Sequence, residues 1–178
     1  MNTLPTRVYC GVTVPDTPSV SKALELARRH STDYAYNHIH AVATILHDVG
    51  WNPTGELISA DKRFEVDSAD AARNFLKREA PDWDKHKIQL VWDAIALHTI
   101  GSIVFYKEPE VQACSYGIWA DFQGPDRVPN GLLTLDEYNL IVQELPRLGL
   151  MKGLKEYVEG YSRKGKLTQD LLDTCDLD

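Results

Sequence analysis

The apolar residues of this chain recur at helical spacing and almost never alternate, and that pattern predicts an all-α class. Ile88, Val91, Trp92, Ile95 and Ala96 form one face of a helix for which Asp84 offers an N-cap. Val66, Ala69, Ala72, Phe75 and Leu76 form another, closed by Pro81. A further helix runs from about Asp33 towards Val49, where Gly50-Trp51-Asn52-Pro53 is a strong stop; His47 and Asp48 then fall in its last turn. Residues 108–122 read as a helix with Pro109 at an N1-like position and Gly124-Pro125 as terminator. Thr134 and Glu137 match a capping box that opens a helix through Leu145. Val20, Leu24, Leu26 and Ala27, behind Ser19 or Ser21, predict a first helix ending near His30, and 150–159 and 167–174 also read as helical. Residues 1–18 are Pro-punctuated and read as irregular, and 51–65 as a polar loop. The expectation is an all-α bundle in a single domain, 1–178, with the helices from 134 onward packed on a core formed by about 18–125.

The size permits this: 178 residues, 43% of them hydrophobic, are enough for one sizeable core. Asp and Glu outnumber Lys and Arg by 26 to 19, a net charge of -7 that argues against a phosphate-binding nucleic-acid surface and for a small-molecule substrate. Cys10, Cys114 and Cys175 are odd in number, far apart and without CxxC spacing, so neither a disulfide framework nor a zinc ribbon is expected. They read as reduced thiols of a cytoplasmic protein. The first twenty residues carry Pro5, Arg7, Pro15, Asp16 and Pro18 with no apolar core, and no stretch approaches the roughly 20 apolar residues of a membrane span. No membrane partner is expected, and a homo-oligomer is left open.

His38, His47, Asp48, His98 and Asp121 lie in separate helical stretches that a bundle can bring to one interior point. Imidazole mixed with carboxylate suits zinc, iron or nickel. A lone His-Asp dipeptide is a weak signal, and a single histidine is ordinarily a hydrogen-bonded core or surface residue.

Ordered company strengthens it. Tyr36-Asn37-His38, then Ala43-Thr44-Ile45-Leu46-His47-Asp48-Val49-Gly50, then Arg63-Phe64-Glu65-Val66-Asp67, then Ala94-Ile95-Ala96-Leu97-His98-Thr99 and Trp119-Ala120-Asp121, resemble the HD-domain superfamily of metal-dependent phosphohydrolases. Within it, RFEVDSADAARNFL and the ALHT segment look most like the cyanamide hydratase type. The likeness covers roughly residues 18–125. It implies an HD-type helical domain in which His38, His47, Asp48 and Asp121 hold a divalent transition metal, zinc or iron foremost, as one ion with a second left open. It also implies that water is the nucleophile, with His98, Glu65 and Asp48 as catalytic candidates that move the proton or orient the site. Glu65 is as readily a solvated loop acid or a helix N-terminal charge, and Asp67 is expected to be the N-cap of a helix over 68–79. Lys62 and Arg63 offer charge for an anionic substrate, although a solvated loop is the commoner setting. Trp51, Trp92, Phe105, Tyr106 and Trp119 are candidates to shape a pocket.

The resemblance implies hydration of a small nitrogen-containing compound such as cyanamide. The alternatives are hydrolysis of a phosphomonoester or nucleotide, and an HD module that binds without turnover. One spacing departs from the family: only eight residues separate His38 from His47. On a continuous helix nine steps of about 100° put the two on opposite faces. Either the helix breaks, or a connecting segment is absent, or His40, seven residues before His47 and on nearly its face, is the first ligand.

Overall fold

The computed structural model describes residues 6–9, 12–15, 34–51, 57–146, 148–149 and 152–153. Two short strands, β1 (Thr6–Tyr9) and β2 (Val12–Pro15), precede six described α-helices: α1 (Tyr34–Leu46), α2 (Phe64–Glu79), α3 (Lys85–Ala96), α4 (Gly101–Val104), α5 (Pro109–Gln123) and α6 (Leu135–Glu144). The body of the protein is all-α. The expected helices at 19–30 and 167–174, and nearly all of that at 150–159, lie outside the described residues.

The start corrects one expectation. Residues 1–18 read as irregular, yet β1 and β2 pair antiparallel with Thr6 opposite Pro15 and Tyr9 opposite Val12. Val8, Val12, Thr13 and Val14 are β-branched, and a two-residue gap containing Gly11 suits a hairpin. The prolines fall at or beyond the strand ends, where no ladder donor is lost.

Local chemistry sets the helix boundaries. The Asp84 carboxylate accepts the Lys87 N–H at 2.8 Å and starts α3. Pro109 occupies the first turn of α5, and Gly124 ends that helix at φ 91°, a left-handed backbone that glycine adopts without a Cβ penalty. Thr134 and Glu137 form the complete capping box of α6. At α2 the expectation fails: the helix begins at Phe64, with Arg63 at the cap position and no side-chain cap. Asp67 therefore lies inside the first turn. It is buried, and it accepts the Ser59 N–H at 2.9 Å and the Ser59 hydroxyl at 2.7 Å, tying down the preceding loop instead of capping a helix.

Helix α3 is the centre of the bundle, packed against α1, α2 and α5. Val91, Ala94 and Ile95 are wholly buried on it, facing Ala43 of α1, Ala69 and Leu76 of α2, and Val111 and Cys114 of α5 in one continuous core. A fully buried Leu, Ile or Val contributes roughly 1.5–3 kcal/mol, so a handful of these residues outweighs any surface pair. Helix α6 contributes little: none of its residues is fully buried, and Leu135 and Leu140 are exposed.

Helices α1 and α3 run in the same direction. The Lys87 charge near the start of α3 is felt by His38 early in α1, while the His47 and His98 rings meet just beyond their ends, 5.1 Å apart. α2 runs the opposite way, with Glu65 beside Thr99 at one end and Arg73 beside Gln89 at the other. One end of the bundle thus gathers the C-terminal ends of α1 and α3 and the N-terminal end of α2.

Candidate metal centre

The same local device appears twice at that end. α1 stops at Leu46, so His47 and Asp48 occupy the turn just past it, one step later than expected. His47 Nδ1 donates to the Thr44 carbonyl three residues back, at 2.8 Å. α3 stops at Ala96, and His98 Nδ1 donates to the Ile95 carbonyl, again three back, at 2.7 Å. Each ring satisfies a carbonyl that a helix end leaves without a partner. Each is thereby fixed as the Nδ1–H form, with the Nε2 lone pair turned away from its own helix.

Both lone pairs face Asp48. His47 Nε2 lies 3.1 Å from Asp48 Oδ2, and His98 Nε2 lies 3.8 Å from Oδ1. The ligand atoms of His47, Asp48 and His98 all fall within 4.8 Å of one another. Two imidazole nitrogens and a carboxylate are all acceptors, and acceptors gathered this closely need a proton or a cation between them. Metal–ligand bonds of about 2.0–2.2 Å place neighbouring ligand atoms roughly 3.3 Å apart, so a contraction of up to about 1.5 Å would close the group on one ion. Backbone carbonyls on the far nitrogens are the usual outer partners of metal-bound histidines, and two helix C-termini favour positive charge.

The charges are mutually adjusted. Burial lowers the pKa of His47, but the hydrogen bond and charge of Asp48, the Thr44 carbonyl and the charge of Asp121 outweigh it, and the group sits above its ordinary value. Burial raises that of Asp48, yet His47 and the His98 charge hold it below the usual carboxylate range. His98, 2% exposed, is held down by burial and by His47, against the pull of Asp48, Ile95 and Glu65.

The walls come from α2 and α5. The Phe64 ring meets His98 edge-on at 5.8 Å, and Trp51 packs on Phe64 at 4.3 Å. Trp119 Nε1 donates to the His98 carbonyl at 3.2 Å. Trp92 belongs elsewhere: it donates to Asp70 at 2.9 Å beneath the Arg73 guanidinium. Phe105 stacks on Tyr116, and Tyr106 is exposed. Cys114, buried beneath Thr44, has its thiol pushed up to about 12 by burial and is chemically quiet.

Of the four ligands implied by the resemblance, His47 and Asp48 are in the cluster, and His38 and Asp121 are not. His98, expected to handle protons, supplies the third ligand atom. Because α1 is unbroken, His38 lies on another face and roughly 13 Å back along the axis at about 1.5 Å per residue. His40 shares the face of His47 but sits roughly 10 Å behind it, since a common azimuth does not give a common height. Asp121, in the last turn of α5, is close enough for its charge to act on His47. Glu65 is no solvated acid: it is buried, paired with Arg63, and accepts the Thr99 hydroxyl at 2.6 Å. Lys62 pairs with Asp70 at 2.9 Å.

Two residues escaped the sequence reading. Ser68, fully buried, accepts the Gly50 N–H at 2.8 Å, and Thr99 figured only as part of the ALHT phrase. A small polar residue one turn after Phe64 and Glu65 and one turn before Ala72 was the available signal for Ser68. No known family model, curated protein or solved structure matches the chain, so its likeness to the HD-domain superfamily stands on the motifs alone.

Proposed function

We propose that this chain is a metal-dependent hydratase or hydrolase in which His47, Asp48 and His98 hold one divalent transition metal, zinc or iron, with water as nucleophile and a small nitrile-like compound of the cyanamide class as substrate. The observation that carries the reading is the convergence of two Nδ1-tethered imidazoles on one carboxylate, with three ligand atoms within 4.8 Å. A metal bound there would make water more acidic and polarise the electrophile. The protein's part is to aim the two Nε2 atoms through backbone carbonyls and to shield one side with Phe64 and Trp51. It also supplies in Asp48 a carboxylate exposed enough to exchange a proton with solvent. Asp121, within electrostatic reach of His47, is a candidate for a fourth oxygen.

A neutral substrate is favoured over a phosphate ester because Lys62 and Arg63 are already engaged by Asp70 and Glu65. Metal analysis of purified protein is expected to give about one transition metal per chain, and cyanamide is expected to yield urea without phosphate release from generic phosphomonoesters. Absence of stoichiometric metal, with His47→Ala as stable as wild type in metal-supplemented buffer, would sink the enzyme reading. Phosphate release without urea would move the substrate to the phosphomonoester class.

A further inference from the structure

Both turns that carry the ligands are anchored to the same two turns of one helix. On the Asp48 side, the Gly50 N–H donates to buried Ser68 Oγ at 2.8 Å. The approach is close: a Cβ on Gly50 would lie 2.6 Å from the Phe64 carbonyl and 2.7 Å from the Ser68 nitrogen. On the His98 side, the hydroxyl of the next residue, Thr99, donates to Glu65 Oε1 at 2.6 Å. Arg63 grips both oxygens of that carboxylate, Nε donating to Oε2 at 3.1 Å and the guanidinium NH2 to Oε1, and the NH2 also reaches Thr99 Oγ1 at 3.3 Å. Glu65 and Ser68 are three apart in α2, hence neighbours on one face.

We infer that the first two turns of α2 are a positioning jig, Ser68 setting Asp48 and the Arg63–Glu65 pair setting His98. The separation of the two ligands then follows from the rise between two residues of one rigid helix, about 4.5 Å at 1.5 Å per residue. Glu65 is accordingly a positioning residue and not the acceptor of the water proton, because both its oxygens are held by Arg63 and Thr99 in a buried site. Four buried or half-buried side chains that are not themselves ligands thus decide whether the three atoms meet. The consequence for metal binding rests on the metal reading above, and the jig itself does not.

The test uses Thr99→Val and Ser68→Ala, with the imidazole nitrogen NMR signals of His47 and His98 read in metal-free protein and zinc affinity read by chelator competition. Thr99→Val is expected to shift or broaden the His98 ring signals more than those of His47, and Ser68→Ala, which loosens the Asp48 turn, to act more strongly on His47. Each should weaken zinc binding about tenfold or more, as loss of outer-shell support commonly does. Thr99→Ser, which keeps the hydroxyl, should restore both readouts. Unchanged ring signals in both variants, or identical changes at both histidines whichever anchor is cut, would overturn the jig. Should Thr99→Val not fold, Arg63→Lys keeps the charge and removes the fork, and the same selective effect on His98 is required. A wild-type protein that binds no zinc while its rings respond selectively removes the metal reading and leaves the jig. Tight zinc binding with unmoved rings in the variants does the opposite.

Discussion

Two histidines lie inside α1 and two lie just past helix ends, and their fates differ. His38 and His40 are held by the helical screw, which fixes the azimuth and height of every Cβ, so no side-chain rotation brings either to His47. His47 and His98 sit where the screw has ended, free to fold back on the carbonyls of Thr44 and Ile95 and aim Nε2 across the gap between two parallel helices. In this bundle the convergent groups come from the helix ends and not from the flanks.

The comparison breaks first at Asp48, the group both rings share. Asp48→Ala is expected to abolish turnover and to weaken zinc binding at least a hundredfold, read by chelator competition; near wild-type turnover would mean the site lies elsewhere. Arg63→Ala comes next. It leaves Glu65 charged and buried without its partner, and since Arg63 is itself part-exposed the loss should fall near the lower end of the range, about 3 kcal/mol in urea unfolding. Gly50→Ala forces a methyl group against the α2 backbone and should cost about 1–3 kcal/mol while loosening metal binding. A variant as stable as wild type would show that this turn yields more easily than its contacts imply.

The smallest effects belong to the helix-bound pair. His38→Ala should leave zinc affinity within about twofold, whereas parity with His47→Ala would restore His38 as a ligand. Burial holds the pKa of both His38 and His40 below the ordinary value, helped at His38 by Lys87. A depressed folded-state pKa means that the unfolded chain takes protons first. The stability from these groups is therefore present above about pH 6.5 and lost as pH falls through their folded values. His40→Leu should flatten that acid limb in thermal melts, since it removes a titrating ring whose Nδ1 is buried without a hydrogen-bond partner. An unchanged limb would exclude His40 as its source.

Much of the scaffold was legible because its signals are local. The Asp84 cap, Pro109 and Gly124 around α5, and the Thr134–Glu137 box each act within four residues, and the structure keeps them all. The hairpin escaped because four-residue strands scarcely register as alternation among prolines. Asp67 was misplaced because a cap and a loop anchor use the same carboxylate, and only the position of Ser59 separates them.

The sequence by itself determined the helical class, a helix end close to His47-Asp48 and the residue types able to bind a cation, since periodicity, capping and ligand chemistry are properties of neighbours along the chain. Tertiary structure alone decided which histidines meet. Whether α1 and α3 end on the same side, and whether Glu65 is solvated or held by Thr99, depend on contacts 34 or more residues apart, which no local pattern records.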